Sequence, residues 1–297
     1  MKRTFWAYLA AMLTVTLWAM SYIWSDRILN AGIPVEFFVP IRMFAAGVFL
    51  FFVNVLTRQK MRIQKKHWWL FALLAICMPF VYFLAETYGL KYTESPTITS
   101  LIIATNPLFA MAAGMLIFKE NFSHINILGV FITLAGLALV TYTREQTGAL
   151  FLLGIFILFI AVISEVSQIA FTKKLSDSYS PSVITMYQFL FGAILFIPLF
   201  CSKGMENFEP HLYLSWGVLY PTLALALLCS ATAFTSWAYA ISKLGVARTS
   251  VFLALVPLVT AVLSFLLEDE RLSVMQWLGL AIGMAGIYLT QLVSKKK

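Results

Sequence analysis

Three charged side chains interrupt long apolar runs: Arg42, Glu86 and Glu165. A charge in the middle of an apolar membrane run costs roughly 3 kcal/mol, so each is by default a candidate for binding, ion pairing or proton exchange. Glu165 is the sharpest of the three. It lies well inside its run, next to Ser164, and shares one helical face with Gln168 three residues on. A carboxylate there can bind a substrate ammonium or exchange a proton. The alternative is a neutral carboxyl hydrogen-bonded inside the bundle. Arg42 and Glu86 fall at similar depth near one end of their runs, which permits a structural ion pair. Equally, they suit an outer gate in which Arg42 holds a substrate carboxylate bidentately.

Around these charges the runs carry aromatic and polar groups that could line a cavity: Trp18, Tyr22, Tyr82, Tyr187, Trp237 and Asn106. Aromatic faces stack on substrates or contact their cations, although core packing uses the same residues. Pro107 and Pro257 each lack an N–H and would free the carbonyl four residues back, at Ile103 and Leu253. Such breaks act as hinges or offer backbone polar groups to a ligand.

Enzyme chemistry has no footing. The chain has no HExxH, no phosphate-cradling glycine loop and no Asp/His cluster for a metal, and no cofactor is expected. His67, His124 and His211 stand at run edges, and no lysine lies mid-run. Cys77, Cys201 and Cys229 lack CxxC spacing and read as small hydrophobes.

The elements that must position these residues follow from composition. Of 297 residues, 61% are hydrophobic and 11% charged, against about a quarter charged in a soluble domain. A bilayer core needs about 20 apolar residues per helix. Apolar runs fall near 5–25, 37–57, 68–90, 95–118, 124–142, 150–172, 182–201, 212–240, 247–267 and 274–293. They predict an all-α membrane protein of ten spans with short connections. Met1-Lys2-Arg3 resembles a signal-peptide start, but the following run exceeds an h-region of about 7–15 residues and reads as an uncleaved first span.

Sidedness follows from the basic residues. One side of the ten-span arrangement collects 15 of the 21 lysines and arginines, including Arg58, Lys60, Arg62, Lys173, Lys174 and Lys243; the other has Arg27, Lys91, Arg144, Lys203 and Arg271. Both termini are therefore expected in the cytoplasm, with the chain in a bacterial inner membrane. The net charge of +8 is spent on this asymmetry and not on nucleic acid.

An internal repeat refines the architecture. Shifted by 150 residues, Thr99–Leu139 aligns with Thr249–Leu289 without a gap, with 14 of 41 positions identical, against roughly four from composition. Ser100/Ser250, Pro107/Pro257, Glu120/Glu270, Ser123/Ser273, Gly129/Gly279 and Gly136/Gly286 are among the identities. A weaker match near 147 links Pro34/Pro181, Phe44/Phe191 and Ala46/Ala193. The halves are 1–146 and 147–297. Five spans is an odd number, so the second half enters the membrane inverted, the architecture of secondary transporters. Glu120 and Glu270 read as turn and capping elements, with gating a lesser role. The paired glycines pack against a neighbouring helix or a second subunit of a homo-oligomer.

The same residues carry a family resemblance. Tyr88-Gly89-Leu90-Lys91-Tyr92-Thr93 to Pro107, Lys119-Glu120-Asn121-Phe122-Ser123 and Gly129 to Gly136 resemble the first repeat of the EamA-type family of the drug/metabolite transporter superfamily. Ser250 to Pro257, Glu268-Asp269-Glu270-Arg271-Leu272-Ser273 and Gly279 to Gly286 resemble its second. Trp18-Ala19-Met20-Ser21 is similar to the family's small-residue signature, with Ala19 where Gly is commoner. Pro40-Ile41-Arg42-Met43-Phe44 is similar to its second-helix arginine motif. The resemblance implies ten helices, cytoplasmic termini and export of amino acids or other small metabolites.

The expected function is alternating-access, proton-coupled export of amino acids or related metabolites. The partners are a small-molecule substrate, protons and the lipid bilayer. A passive channel or facilitator is the alternative and would need a continuous polar stripe. A receptor or scaffold would usually carry a soluble output domain.

Overall fold

The computed structural model describes residues 2–109, 112, 123–141, 148–206, 208–244, 249 and 251–290, and among these it contains helices and no strands. Among the described residues, seven helical segments are long and apolar enough to cross a membrane: Phe5–Asn30, Val35–Leu56, Lys65–Thr93, His124–Thr141, Ala149–Gln168, Pro181–Gly204 and Trp216–Ala240. Two shorter apolar helices follow, Phe252–Glu268 and Val274–Thr290. The run expected at 95–118 is described in its first part only. Glu120 lies outside the described residues.

The first two helices are α1 (Lys2–Asn30) and α2 (Val35–Leu56). The third run is divided into α3 (Trp68–Ala75), a π-helical stretch Ile76–Val81 and α4 (Tyr82–Thr93). The division is at Met78, whose φ of −141° and ψ of 116° are extended, just before Pro79. Next come α5 (Pro96–Ile103), α6 (His124–Thr141), α7 (Ala149–Ser176) and α8 (Pro181–Leu199). The following run repeats the pattern of the third. It comprises α9 (Trp216–Ala224), a π-helical stretch Leu225–Thr232 and α10 (Ala233–Leu244). The chain closes with a 3₁₀ segment Val251–Leu255, α11 (Val256–Glu268) and α12 (Val274–Thr290).

The prolines differ from their expected place. The sequence predicts kinks inside continuous helices at Pro107 and Pro257. In the structure the break comes just upstream. Helix α5 ends at Ile103, Ala104 and Thr105 turn, and helical backbone resumes at Asn106. The Thr105 N–H and hydroxyl both donate to the Ile102 carbonyl, at 3.0 and 2.6 Å. Pro107 is then the second residue of the resumed helix, and Pro257 the second of α11. A proline suits the first helical turn because that turn's N–H groups have no intrahelical acceptor.

Helices α6 and α12 pack antiparallel through their glycines. A Cβ on Gly136 would sit 2.3 Å from the Gly283 nitrogen, and one on Gly286 would sit 2.4 Å from the Thr133 nitrogen. The glycine stripes therefore face each other inside the chain, and not a second subunit. Each helix starts with a serine capping box. Ser123 N–H donates to Asn126 Oδ1 at 3.0 Å, and Ser273 N–H to Gln276 Oε1 at 2.9 Å.

Helices α2 and α8 form a second close pair. Gly47 makes room for the Leu190 side chain, and Asn54 exchanges bonds with Ser182. Helices α4 and α7 approach through Gly89 and Gly154. Phe38, Phe189 and Phe196 fill the core, while Phe5, Leu56, Phe131, Leu152 and Phe156 point outward with more than half their surface exposed. Apolar exposure on this scale around a bundle belongs against lipid.

Candidate functional site

Where α1, α2, α4, α7 and α10 meet, three charged side chains come together inside the bundle. Arg42, on the second turn of α2, is 2% exposed. Its Nε–H donates to Ser230 Oγ at 2.9 Å, and its guanidinium lies over the Phe83 ring, 4.5 Å from the centroid. The π-helical stretch Leu225–Thr232 supplies Ser230, and α4 supplies Phe83. A guanidinium has five N–H donors. Among the described residues the terminal Nη groups of Arg42 have no hydrogen-bond partner.

Glu86 sits one turn along α4 from Tyr82, whose hydroxyl donates to Glu86 Oε1 at 2.9 Å. Tyr22 of α1 faces both groups. Arg42 and Glu86 feel each other's charge, but they form no ion pair within 4.0 Å. The structure thus brings the expected partners into one cluster without joining them.

Glu165, near the middle of α7, is the third charge. Its neighbours are Glu86 and the Asn106 amide, and among the described residues its buried Oε2 has no hydrogen-bond partner. A buried unsatisfied oxygen is costly, of order 1–3 kcal/mol, so this atom is a place for a ligand or a proton to act. Asn106 reaches it because the turn at Ala104–Thr105 restarts the helix there. The adjacent Ser164 donates to the Cys77 carbonyl at 2.6 Å. That carbonyl also accepts the Tyr82 N–H across the π-helical stretch. Ser164 and Glu165 consequently touch two different helix breaks.

An aromatic wall adjoins the charges. Trp18 packs on Trp237 and Phe234 of α10, with ring centroids 5.3 and 5.4 Å apart. Tyr22 lies one turn along α1 from Trp18, which sets the wall beside the Tyr22–Tyr82–Glu86 group.

Two expected residues lie elsewhere. Tyr187 donates its hydroxyl to the Met61 carbonyl at 2.7 Å and packs on Phe71 and Phe191. Its polar atom anchors the 57–67 loop instead of facing the cluster. Gln168 accepts from Thr172 Oγ1 at 2.8 Å, one turn along the same helix. Three contributors had no strong sequence signal: Phe83, Ser164 as a bond to a helix break, and Ser230. A serine or phenylalanine in an apolar run is ordinary, and only the π-helical stretches bring Phe83 and Ser230 to Arg42.

A cavity of about 540 Å³ lies apart from this cluster, between α11 and α12, walled by Phe252, Leu255, Leu258, Trp277, Met284 and Tyr288. None of the charged groups lines it. Among the described residues, no group of three or more His, Cys, Asp or Glu could hold a metal.

Comparison with known proteins agrees with this architecture. The model of the EamA-like transporter family matches twice, over residues 5–142 and 152–292. The chain is 27% identical over 228 residues to an uncharacterized transporter of Archaeoglobus fulgidus, covering 75% of this chain and 76% of that protein. It is 22% identical to the uncharacterized transporter YoaV of Bacillus subtilis, over 94% of each. A protein of Streptantibioticus cattleyicolor described as a probable terminal-alkyne amino-acid exporter is 29% identical over 64% of this chain and 62% of its own length. A solved crystal structure superposes with a TM-score of 0.69 over 95% of both chains at 17% identity, a likeness of fold.

Proposed function

We propose that this chain, which belongs to the EamA-like transporter family, is a proton-coupled secondary transporter that exports amino acids or related small metabolites by alternating access. The observation that carries the reading is the polar cluster itself. Among the described residues, Glu165 Oε2 and the Arg42 Nη groups have chemistry to offer and no protein partner for it. A substrate ammonium fits the first and a substrate carboxylate the second, with Tyr22, Tyr82, Trp18 and Trp237 as walls. The relative described as a probable terminal-alkyne amino-acid exporter favours the same class of solute.

In this reading the chain has ten spans in two inverted halves, 1–146 and 147–297. Three structural pairs support it. The π-helical stretches begin 149 residues apart, the broken helices resume at Asn106 and Val256, and Asn126 and Gln276 make matching bonds. The halves rock about the cluster, and the breaks ahead of Pro107 and Pro257 absorb the motion. The distribution of basic residues supports cytoplasmic termini and a bacterial inner membrane in this reading.

A passive channel is the competing reading, and one measurement separates the two. The protein reconstituted in liposomes should show saturable counterflow of at least one labelled amino acid or metabolite. Conductance without saturation would favour the channel, and no flux of any solute would remove the transport reading.

A further inference from the structure

At the end of the bundle where α1 and α4 finish, polar bonds join three helix termini. Helix α11 is capped by Asp269, whose φ of 54° is left-handed and turns the chain back on itself. Glu270 is thereby aimed at the first turn of α5. One of its carboxylate oxygens accepts from the Ser95 hydroxyl, and the other from Thr97 Oγ1 at 2.8 Å. Ser95 and Thr97 are 3% and 0% exposed, so water does not compete freely for these bonds. The start of α5 also favours a negative charge. Two residues before Glu270, Glu268 pairs with Arg27 at the end of α1, and Arg27 Nη2 donates to the Leu267 carbonyl at 3.3 Å. Arg27, Ser95 and Thr97 belong to residues 1–146, while Glu268 and Glu270 belong to 147–297. Every one of these bonds therefore crosses between the halves.

The repeat makes the arrangement one-sided. Position 270 has its counterpart in Glu120, but positions 95, 97 and 268 correspond to Gly245, Ala247 and Phe118. Glycine and alanine have no hydroxyl to donate, and phenylalanine cannot pair with a cation. Identical halves would close both ends alike. These two do not carry the side chains to do so.

We propose that Glu270 with Ser95 and Thr97, and Glu268 with Arg27, form a one-sided latch that holds this end of the bundle shut. The inference rests on the alternating-access reading. Opening toward this end breaks all of these bonds, and opening toward the other breaks none. The latch biases the empty protein toward the state closed at the end that carries Lys91, so a substrate can enter readily from the opposite end only.

Cys229 provides the test. It is buried, 0% exposed, and lies within electrostatic reach of Arg42 and Glu86. In a C77A/C201A background, Cys229 is labelled with a membrane-impermeant thiol reagent applied to one face of membrane vesicles. K91C, exposed at the latch end, identifies that face. Glu270→Gln and, separately, the double variant Ser95→Ala/Thr97→Val are compared with the unaltered protein. Two variants of different chemistry keep the result decidable if one unfolds. Each should raise the labelling rate from the latch face at least about tenfold, the equilibrium equivalent of losing one hydrogen bond to a charged group. An unchanged rate in folded variants overturns the latch, whatever the flux. Faster labelling without saturable flux of any solute upholds the latch as a conformational lock and removes the transporter reading.

Discussion

Asn126 and Gln276 stand 150 residues apart and make the same bond in opposite directions. The Asn126 amide, at the start of α6, donates to the Thr290 carbonyl at the end of α12, at 3.1 Å. The Gln276 amide, at the start of α12, donates to the Val140 carbonyl at the end of α6, at 3.4 Å. The two acceptors are themselves 150 residues apart. Each amide thus bonds a carbonyl in the last described turn of the facing helix, and the glycines between let the helices approach closely enough for it.

That close approach sets a stability prediction. Gly136→Ala places a methyl 2.3 Å from the Gly283 backbone, where no flexible side chain can move aside. The variant is expected to lose about 1–3 kcal/mol by overpacking, read as a lower unfolding temperature in detergent. Gly148→Ala, with nothing within 4 Å of its Cβ position, should change that temperature little.

Arg42 should not tolerate lysine. Its Nε–H bonds Ser230 while its plane covers Phe83, and an ammonium cannot do both. Arg42→Lys is expected to cut saturable transport about tenfold, since cation–π contacts and charged hydrogen bonds are each worth about 1–3 kcal/mol when buried. Counterflow in proteoliposomes is the measurement. Ser230→Ala, which removes one acceptor and leaves the charge, should have the smaller effect.

Glu165→Gln separates binding from coupling. The amide removes the proton site and retains the shape. Exchange of solute for solute should persist at a raised half-saturation concentration, because an amide holds an ammonium more weakly than a carboxylate, while accumulation driven by a proton gradient is lost. Retained gradient-driven accumulation would take Glu165 out of the coupling step.

Ser164→Ala tests the bond between α7 and the break in the third helical run. Losing the 2.6 Å bond to the Cys77 carbonyl should cost about 1 kcal/mol of stability. It should also raise the half-saturation concentration, because the same carbonyl holds the turn that presents Tyr82 to Glu86. Stability loss with unaltered half-saturation would leave Ser164 as a packing residue.

The paired tryptophans carry a further prediction. Trp18 and Trp237, 5.3 Å apart, should couple by about 0.5–1.5 kcal/mol in a double-mutant cycle on solute affinity. Tyr187→Phe serves as the contrast. Its hydroxyl bonds Met61 at the loop, so the change should lower stability and leave affinity unmoved.

That the chain is a helical membrane protein is legible from its residues alone, because apolar runs about 20 residues long admit few other structures in a bilayer. The sequence also identified Arg42, Glu86 and Glu165, since a charge inside such a run stands out against its neighbours. Hydropathy carries no information on which helices touch, so it could not say that the glycines of α6 and α12 face each other or that Tyr187 turns toward the loop. Those are decided by packing across more than a hundred residues. The helix breaks were only half legible. Pro107 and Pro257 marked the right neighbourhood, but a proline fixes its own φ and leaves open whether the helix kinks at it or restarts before it. Tertiary structure made that choice, and with it brought Asn106 to Glu165, while the π-helical stretches brought Ser230 and Phe83 to Arg42.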